Sequence, residues 1–100
     1  MSQSGVFERV PSVRFRVVED QGLILRQDTS EVVVVNEVAA RILQLLDGQR
    51  ALREVAAILA DEFAETPERL ARDVETFVRE LVDSGLVQVV SQDQEPGTGP

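Results

Sequence analysis

Four consecutive valines constrain this chain more than any other feature: Glu31-Val32-Val33-Val34-Val35, followed at once by Asn36 and an amphipathic helix. β-Branched side chains favour extended backbone, and successive residues of a strand point to opposite faces. A strand covered on one side only alternates apolar and polar residues, whereas this run places valine on both faces. It is therefore either buried on both sides or has a face or edge left for a partner. An open edge of this kind can accept a partner's strand, with main-chain hydrogen bonds giving affinity and side-chain pockets giving specificity.

Composition removes most of the other options. One hundred residues suit one domain, and an apolar fraction of 43% supports one small core. No apolar stretch approaches the ~18 residues of a membrane span, and Met1-Ser2-Gln3-Ser4-Gly5 does not read as a signal peptide. With no cysteine for disulfides or thiolate metal sites, the composition points to the cytoplasm. All ten basic residues are arginine, and the net charge of −8 argues against a nucleic-acid partner. Histidine, cysteine, lysine, tyrosine and tryptophan are all missing. A catalytic triad, a thiolate nucleophile and a Schiff-base lysine are thereby excluded, so the chain is not expected to be an enzyme.

The periodicities give an order of three strands and then three helices. Residues 1–10 read as a loose arm, and Pro11 marks the start of structure. Val13, Phe15 and Val17 alternate with Arg14 and Arg16 in a first strand. After the turn Glu19-Asp20-Gln21-Gly22, Leu23 to Gln27 forms a second strand with Leu23 and Leu25 expected inward. Asp28-Thr29-Ser30 turns into the valine strand, so the three make an antiparallel meander with the first and third strands at its edges. Asn36 is a natural N-cap for a first helix running to about Asp47, with Gly48 as its stop. Leu52, Val55, Ala56, Leu59 and Phe63 stripe a second helix that starts weakly at Ala51. Thr66-Pro67-Glu68 opens a third, which Ser84-Gly85 closes. Leu86 to Val90 suits a short strand, and residues 91–100 a disordered tail. The expected fold is a winged-helix-like α+β domain over residues 11–90, a three-stranded antiparallel sheet followed by three helices.

The two sheet edges differ. Arg14, Arg16 and Pro11 guard the first strand against pairing, whereas the third has only Glu31 ahead of its valines. If Val33 and Val35 face the core, Val32 and Val34 face away from it. One flank of the third helix, with Arg69, Asp73, Phe77 and Glu80, can wall a groove beside that edge. These nine residues, from Glu31 to Val35 together with that flank, are the candidate peptide-binding set. The blander readings are a solvated helix face for the charges and a core position for Phe77. The alternative for the edge itself is a cover supplied by the third helix or by the Leu86–Val90 tail. The acidic group Asp61, Glu62, Glu65 and Glu68 does not match a calcium loop and reads as a solvated corner.

The ordered set of positions resembles a known family. Val32–Val35, Asn36, Ala39-Ala40, Ile42-Leu43, Leu45-Leu46-Asp47-Gly48, then Glu54-Val55, Leu59, Phe63, Asp73-Val74, Phe77-Val78, Leu81 and Ser84-Gly85-Leu86 are similar to the core of PqqD-like proteins. Thr29-Ser30-Glu31 stands where that family has Pro-Glu-Gly, and Val35 where it has leucine. The resemblance implies a cofactor-free recognition element for ribosomally made precursor peptides. In that family the leader adds as a strand to the third strand against the third helix. The module then presents it to a modifying enzyme, either a radical S-adenosylmethionine protein in quinone-cofactor synthesis or a leader peptidase in lasso-peptide pathways. The alternatives are an acidic winged-helix regulator and a dimerisation domain using the same edge.

Overall fold

Nine elements follow one another in the computed structural model, which describes residues 5–91. They are β1 (Val6–Arg9), β2 (Val13–Val18), β3 (Gln21–Arg26), β4 (Glu31–Val35), α1 (Glu37–Leu45), β5 (Asp47–Ala51), α2 (Leu52–Phe63), α3 (Pro67–Asp83) and β6 (Val87–Ser91). The fold is α+β, with three helices and two three-stranded antiparallel sheets, ordered β2-β3-β4 and β5-β1-β6.

The expected meander is the first of these sheets, and the valine run is its edge strand. Its register sets Phe15 opposite Ile24 and Ile24 opposite Val33, so these three share the inner face. Ile24 is buried there, while Phe15, Val33 and Val35 are half-buried against the same core. The expectation for β3 is thereby corrected. Leu23 and Leu25 point outward and Ile24 inward, because a one-residue change of register exchanges the two faces.

Asn36 caps α1 as expected, its Oδ1 accepting from the Ala39 amide at 2.9 Å. The helix then stops at Leu45, short of the expected end, and Asp47 to Ala51 continues as a strand. Gly48 keeps a left-handed φ of 81°, but within β5, where the pairing with β1 is irregular. α2 starts without a side-chain acceptor at Ala51, and Glu54 Oε1 instead accepts from the Ala51 amide at 2.8 Å. α3 begins at Pro67 and ends on the expected glycine. There Gly85, with φ 77°, donates to the Val82 carbonyl and Leu86 to that of Leu81, both at 3.0 Å. This pair of bonds is a Schellman stop, and it turns Leu86 into the core.

The second sheet is the larger departure from expectation. Residues 6–9 are not a loose arm but a central strand, held between β5 and β6. Phe7 is 1% exposed and drives that placement. Residues 1–4 and 92–100 lie outside the described residues, and with them the rest of the expected arm and most of the expected tail. The Leu86–Val90 segment does form a strand, but β6 pairs with β1 and leaves the valine edge alone. The element order is therefore not strands followed by helices, since β5 and β6 fall among and after the helices. Arg9 joins the two sheets. Its guanidinium lies 5.2 Å from the centre of the Phe15 ring and donates to the Leu43 carbonyl near the end of α1 at 2.7 Å.

Candidate functional site

β4 pairs with β3 on one side only, and no strand lies along its other edge among the described residues. That edge leaves backbone donors and acceptors available for pairing. α3 runs beside it, because its buried stripe of Leu70, Val74, Val78 and Leu81 is seated in the core. The flank of α3 next to this stripe is left facing β4.

Two clefts follow one another along that flank. The first, of about 260 Å³, has Val33 and Val35 of β4 on one side and Phe77, Glu80, Leu81 and Ser84 of α3 on the other. Ile24, Arg26, Glu31 and Leu86 complete it. The second, of about 280 Å³, is lined by Val38, Phe63, Glu65, Arg69, Leu70 and Asp73. Each is smaller than the ~300–1,000 Å³ pockets that hold small molecules. The first lies beside the open strand edge and suits the inward side chains of an extended peptide, whereas the second, with no β4 residue in its lining, is walled by helices. Arg26 bounds the first cleft: its Nε lies 3.4 Å from Glu31 Oε1, and its guanidinium also donates to the Ser84 carbonyl. That carbonyl sits at the C-terminal end of α3, where a cation is electrostatically favoured.

The expected site residues thus separate into three places. Glu31, Val33, Val35, Phe77 and Glu80 meet in the first cleft, and Arg69 and Asp73 lie in the second. Val32 and Val34 stand on the opposite face of the sheet, 59% and 57% exposed. Phe77 is both groove and core, half-buried with its remaining surface in the cleft. Arg26, Leu86, Val38, Phe63 and Leu70 also line the groove, although the sequence reading did not select them. Leu86 was within reach of that reading, since it follows the Gly85 stop. Arg26 carried no local signal, because one of its partners lies 58 residues away.

Away from the groove, Arg41 grips Glu62 with two hydrogen bonds of 2.8 and 2.7 Å, tying α1 to the end of α2. The hydrogen bonds from Arg41 hold the Glu62 carboxyl below the usual carboxylate range, and the same contact raises Arg41. Among the described residues, no cluster of carboxylates is placed to hold a metal ion.

The family model described as "Coenzyme PQQ synthesis protein D (PqqD)" matches residues 21–87. The chain belongs to the PqqD family. The matched segment runs from the first residue of β3 to the first of β6, so both walls of the groove lie inside it. A PqqA binding protein of Rhizobium meliloti (strain 1021) is 32% identical over 90 residues, covering 90% of this chain and 92% of that protein. A PqqA binding protein of Gluconobacter oxydans (strain 621H) is 36% identical over 61 residues, or 61% of this chain and 64% of that protein.

Solved structures share the PqqD-family fold. The PqqD truncation of Methylobacterium extorquens PqqCD, described as a functional and stand-alone recognition element, superposes with a TM-score of 0.74. It is 21% identical, with 87% of this chain and 93% of that chain covered. TbiB1 in complex with the TbiA(beta) leader peptide gives 0.73 at 21% identity, covering 81% of this chain and 94% of that one. A lasso peptide synthetase B1 complexed with the leader peptide also gives 0.73, at 23% identity, covering 82% of this chain and 96% of that one.

Proposed function

We propose that this PqqD-family chain is a recognition element that binds the leader of a ribosomally made precursor peptide by strand addition. In this reading the leader pairs with the free edge of β4, and its inward side chains enter the first cleft along α3. The observation that carries it is the unpaired edge of β4 beside a groove floored by Val33, Val35 and Phe77. The two relatives' names, PqqA binding protein, support a PqqA-like precursor as the ligand. The leader-bound complexes of TbiB1 and the lasso synthetase B1, which share the fold, support a leader peptide as the ligand class and keep a lasso-type leader as the comparison ligand.

The chain acts by holding the peptide for a modifying enzyme, a radical S-adenosylmethionine protein or a leader peptidase. It contributes no catalytic group or cofactor of its own, and the cytoplasm is its place of action. The winged-helix-like description rests on the three helices behind the β2-β3-β4 sheet. Amide hydrogen exchange with and without a PqqA peptide tests the binding mode. Slowing along Val32–Val35 and around Asp73 and Phe77 is the expected result, with little change in β2. Protection centred on β2 or on β6 would place the peptide elsewhere and refute strand addition to β4.

A further inference from the structure

The outer face of the β2-β3-β4 sheet has no part in the groove. Register places Arg14, Leu25 and Val32 in one cross-strand row and Arg16, Leu23 and Val34 in the next. Leu25, Val32 and Val34 are exposed and Leu23 is half-buried between them, and a depression of about 600 Å³ lies over Leu23, Leu25 and Val32. Polar residues would normally occupy the solvent face of an antiparallel sheet. An apolar cluster held in water by a folded chain marks an interaction surface. Its rim is cationic although the chain as a whole carries −8. Arg26, Arg41, Arg50 and Arg79 each reach a carboxylate, whereas Arg14 and Arg16 have no ion pair among the described residues.

We propose that this face docks the enzyme that acts on the bound peptide, through a partner surface apolar at its centre and carboxylate-bearing at its rim. The charge pattern selects the occupant. A second copy of this chain would bring two molecules of net charge −8 together, and in a face-to-face contact of this kind each copy would offer arginines rather than the carboxylates that Arg14 and Arg16 lack. Position supports the same choice. Val32 and Val34 belong to the strand whose free edge receives the leader, so the leader's outward side chains would extend the cluster by one row. An enzyme seated there would meet the module and its cargo on one continuous surface. This extension rests on strand addition to β4; the apolar and cationic rows do not.

The test uses the peptide-modifying enzyme encoded with the cognate precursor, titrated against the full chain preloaded with leader. Leu25→Ser and the double variant Arg14→Glu/Arg16→Glu are chosen because both lie away from the β4 edge, on side chains the fold leaves exposed. Leader affinity should stay within about twofold, while enzyme association weakens by roughly tenfold or more. Arg14→Lys/Arg16→Lys should retain most of the association, and the Glu variant should show a shallower salt dependence. Unchanged enzyme affinity in both variants overturns the proposal. So does an absence of association by the loaded wild-type chain, or a concentration-dependent dimer in sedimentation that the same variants abolish. Should the leader fail to bind, strand addition is refuted, and titration of the unloaded chain with the enzyme still reads the docking face.

Discussion

A methyl group at Gly22 would lie 2.8 Å from the Phe15 ring, 2.9 Å from Val35 Cγ2 and 3.0 Å from Ala40 Cβ. The glycine is what lets α1 approach the sheet closely enough to seal its inner face. Gly22→Ala should therefore destabilise the fold by about 1–3 kcal/mol through overpacking, read as a lower urea midpoint at unchanged slope. Val34 and Val35 are neighbours with opposite roles. Val34→Glu places its charge on the outer face, beside the row that the leader's outward side chains would add, and should leave the domain folded while weakening leader binding roughly tenfold, or ~1.4 kcal/mol. Val35→Glu turns a charge toward the core and should unfold it, as circular dichroism would show. Equal melting of the two variants would contradict the face assignment. The Arg41–Glu62 pair adds a pH dependence of known sign. Because the folded carboxyl is depressed, its contribution is present above the unfolded carboxyl's range and is lost as pH falls through the folded value. The stability advantage of wild type over Glu62→Gln should accordingly shrink on acidification.

Two strands carry the consequences at the scale of elements. β1 is short, yet Phe7 places it in the core and both of its edges are paired. Phe7→Ala should cost about 3–5 kcal/mol, as large-to-small changes at buried aromatics do. A truncation that starts at Val10 should fail to fold cooperatively, the opposite of what a loose arm would give. β4 is the reverse case, an edge strand with one side unpaired. If the leader pairs along it, a proline at a paired leader position should weaken binding more than alanine there, since proline removes a ladder donor. A peptide series in a fluorescence titration measures this, and equal effects of proline and alanine would count against main-chain recognition.

For the whole molecule, peptide binding and folding are linked. A ligand that binds only the native state stabilises it by ~2.7 kcal/mol at one hundred times its dissociation constant. For a domain of this size, that corresponds to a rise in Tm of roughly 10–20 °C. A PqqA-like leader should produce this rise, and a leader with proline at the paired positions should not. The two sheets, joined by the Arg9 bridge to Phe15 and Leu43, should melt in one transition with the helices. Separate transitions by near- and far-ultraviolet probes would show that the second sheet is an independent unit.

The amino-acid sequence by itself determined the meander, its unguarded edge, the caps at Asn36 and Gly85, and, of the expected α3 flank, Phe77 and Glu80 beside β4 but not Arg69 and Asp73. Each of these rests on a local signal: β-branched runs, short turns, a capping side chain or a helical period. Tertiary structure decided the rest. β5 reads Asp47-Gly48-Gln49-Arg50-Ala51, with no strand pattern of its own, and becomes a strand only because β1 lies beside it. β1 in turn needs β6, some 80 residues away, as the Glu8–Gln88 hydrogen bond illustrates. Leu23-Ile24-Leu25 is apolar on both faces, so no alternation within it could select the buried side. Ile24 is inward because the register pairs it across the sheet with Phe15 and Val33, which share the inner face. That choice turned Leu23 and Leu25 to the outer face, Leu25 exposed and Leu23 half-buried, creating an outer surface that no single strand's sequence encodes.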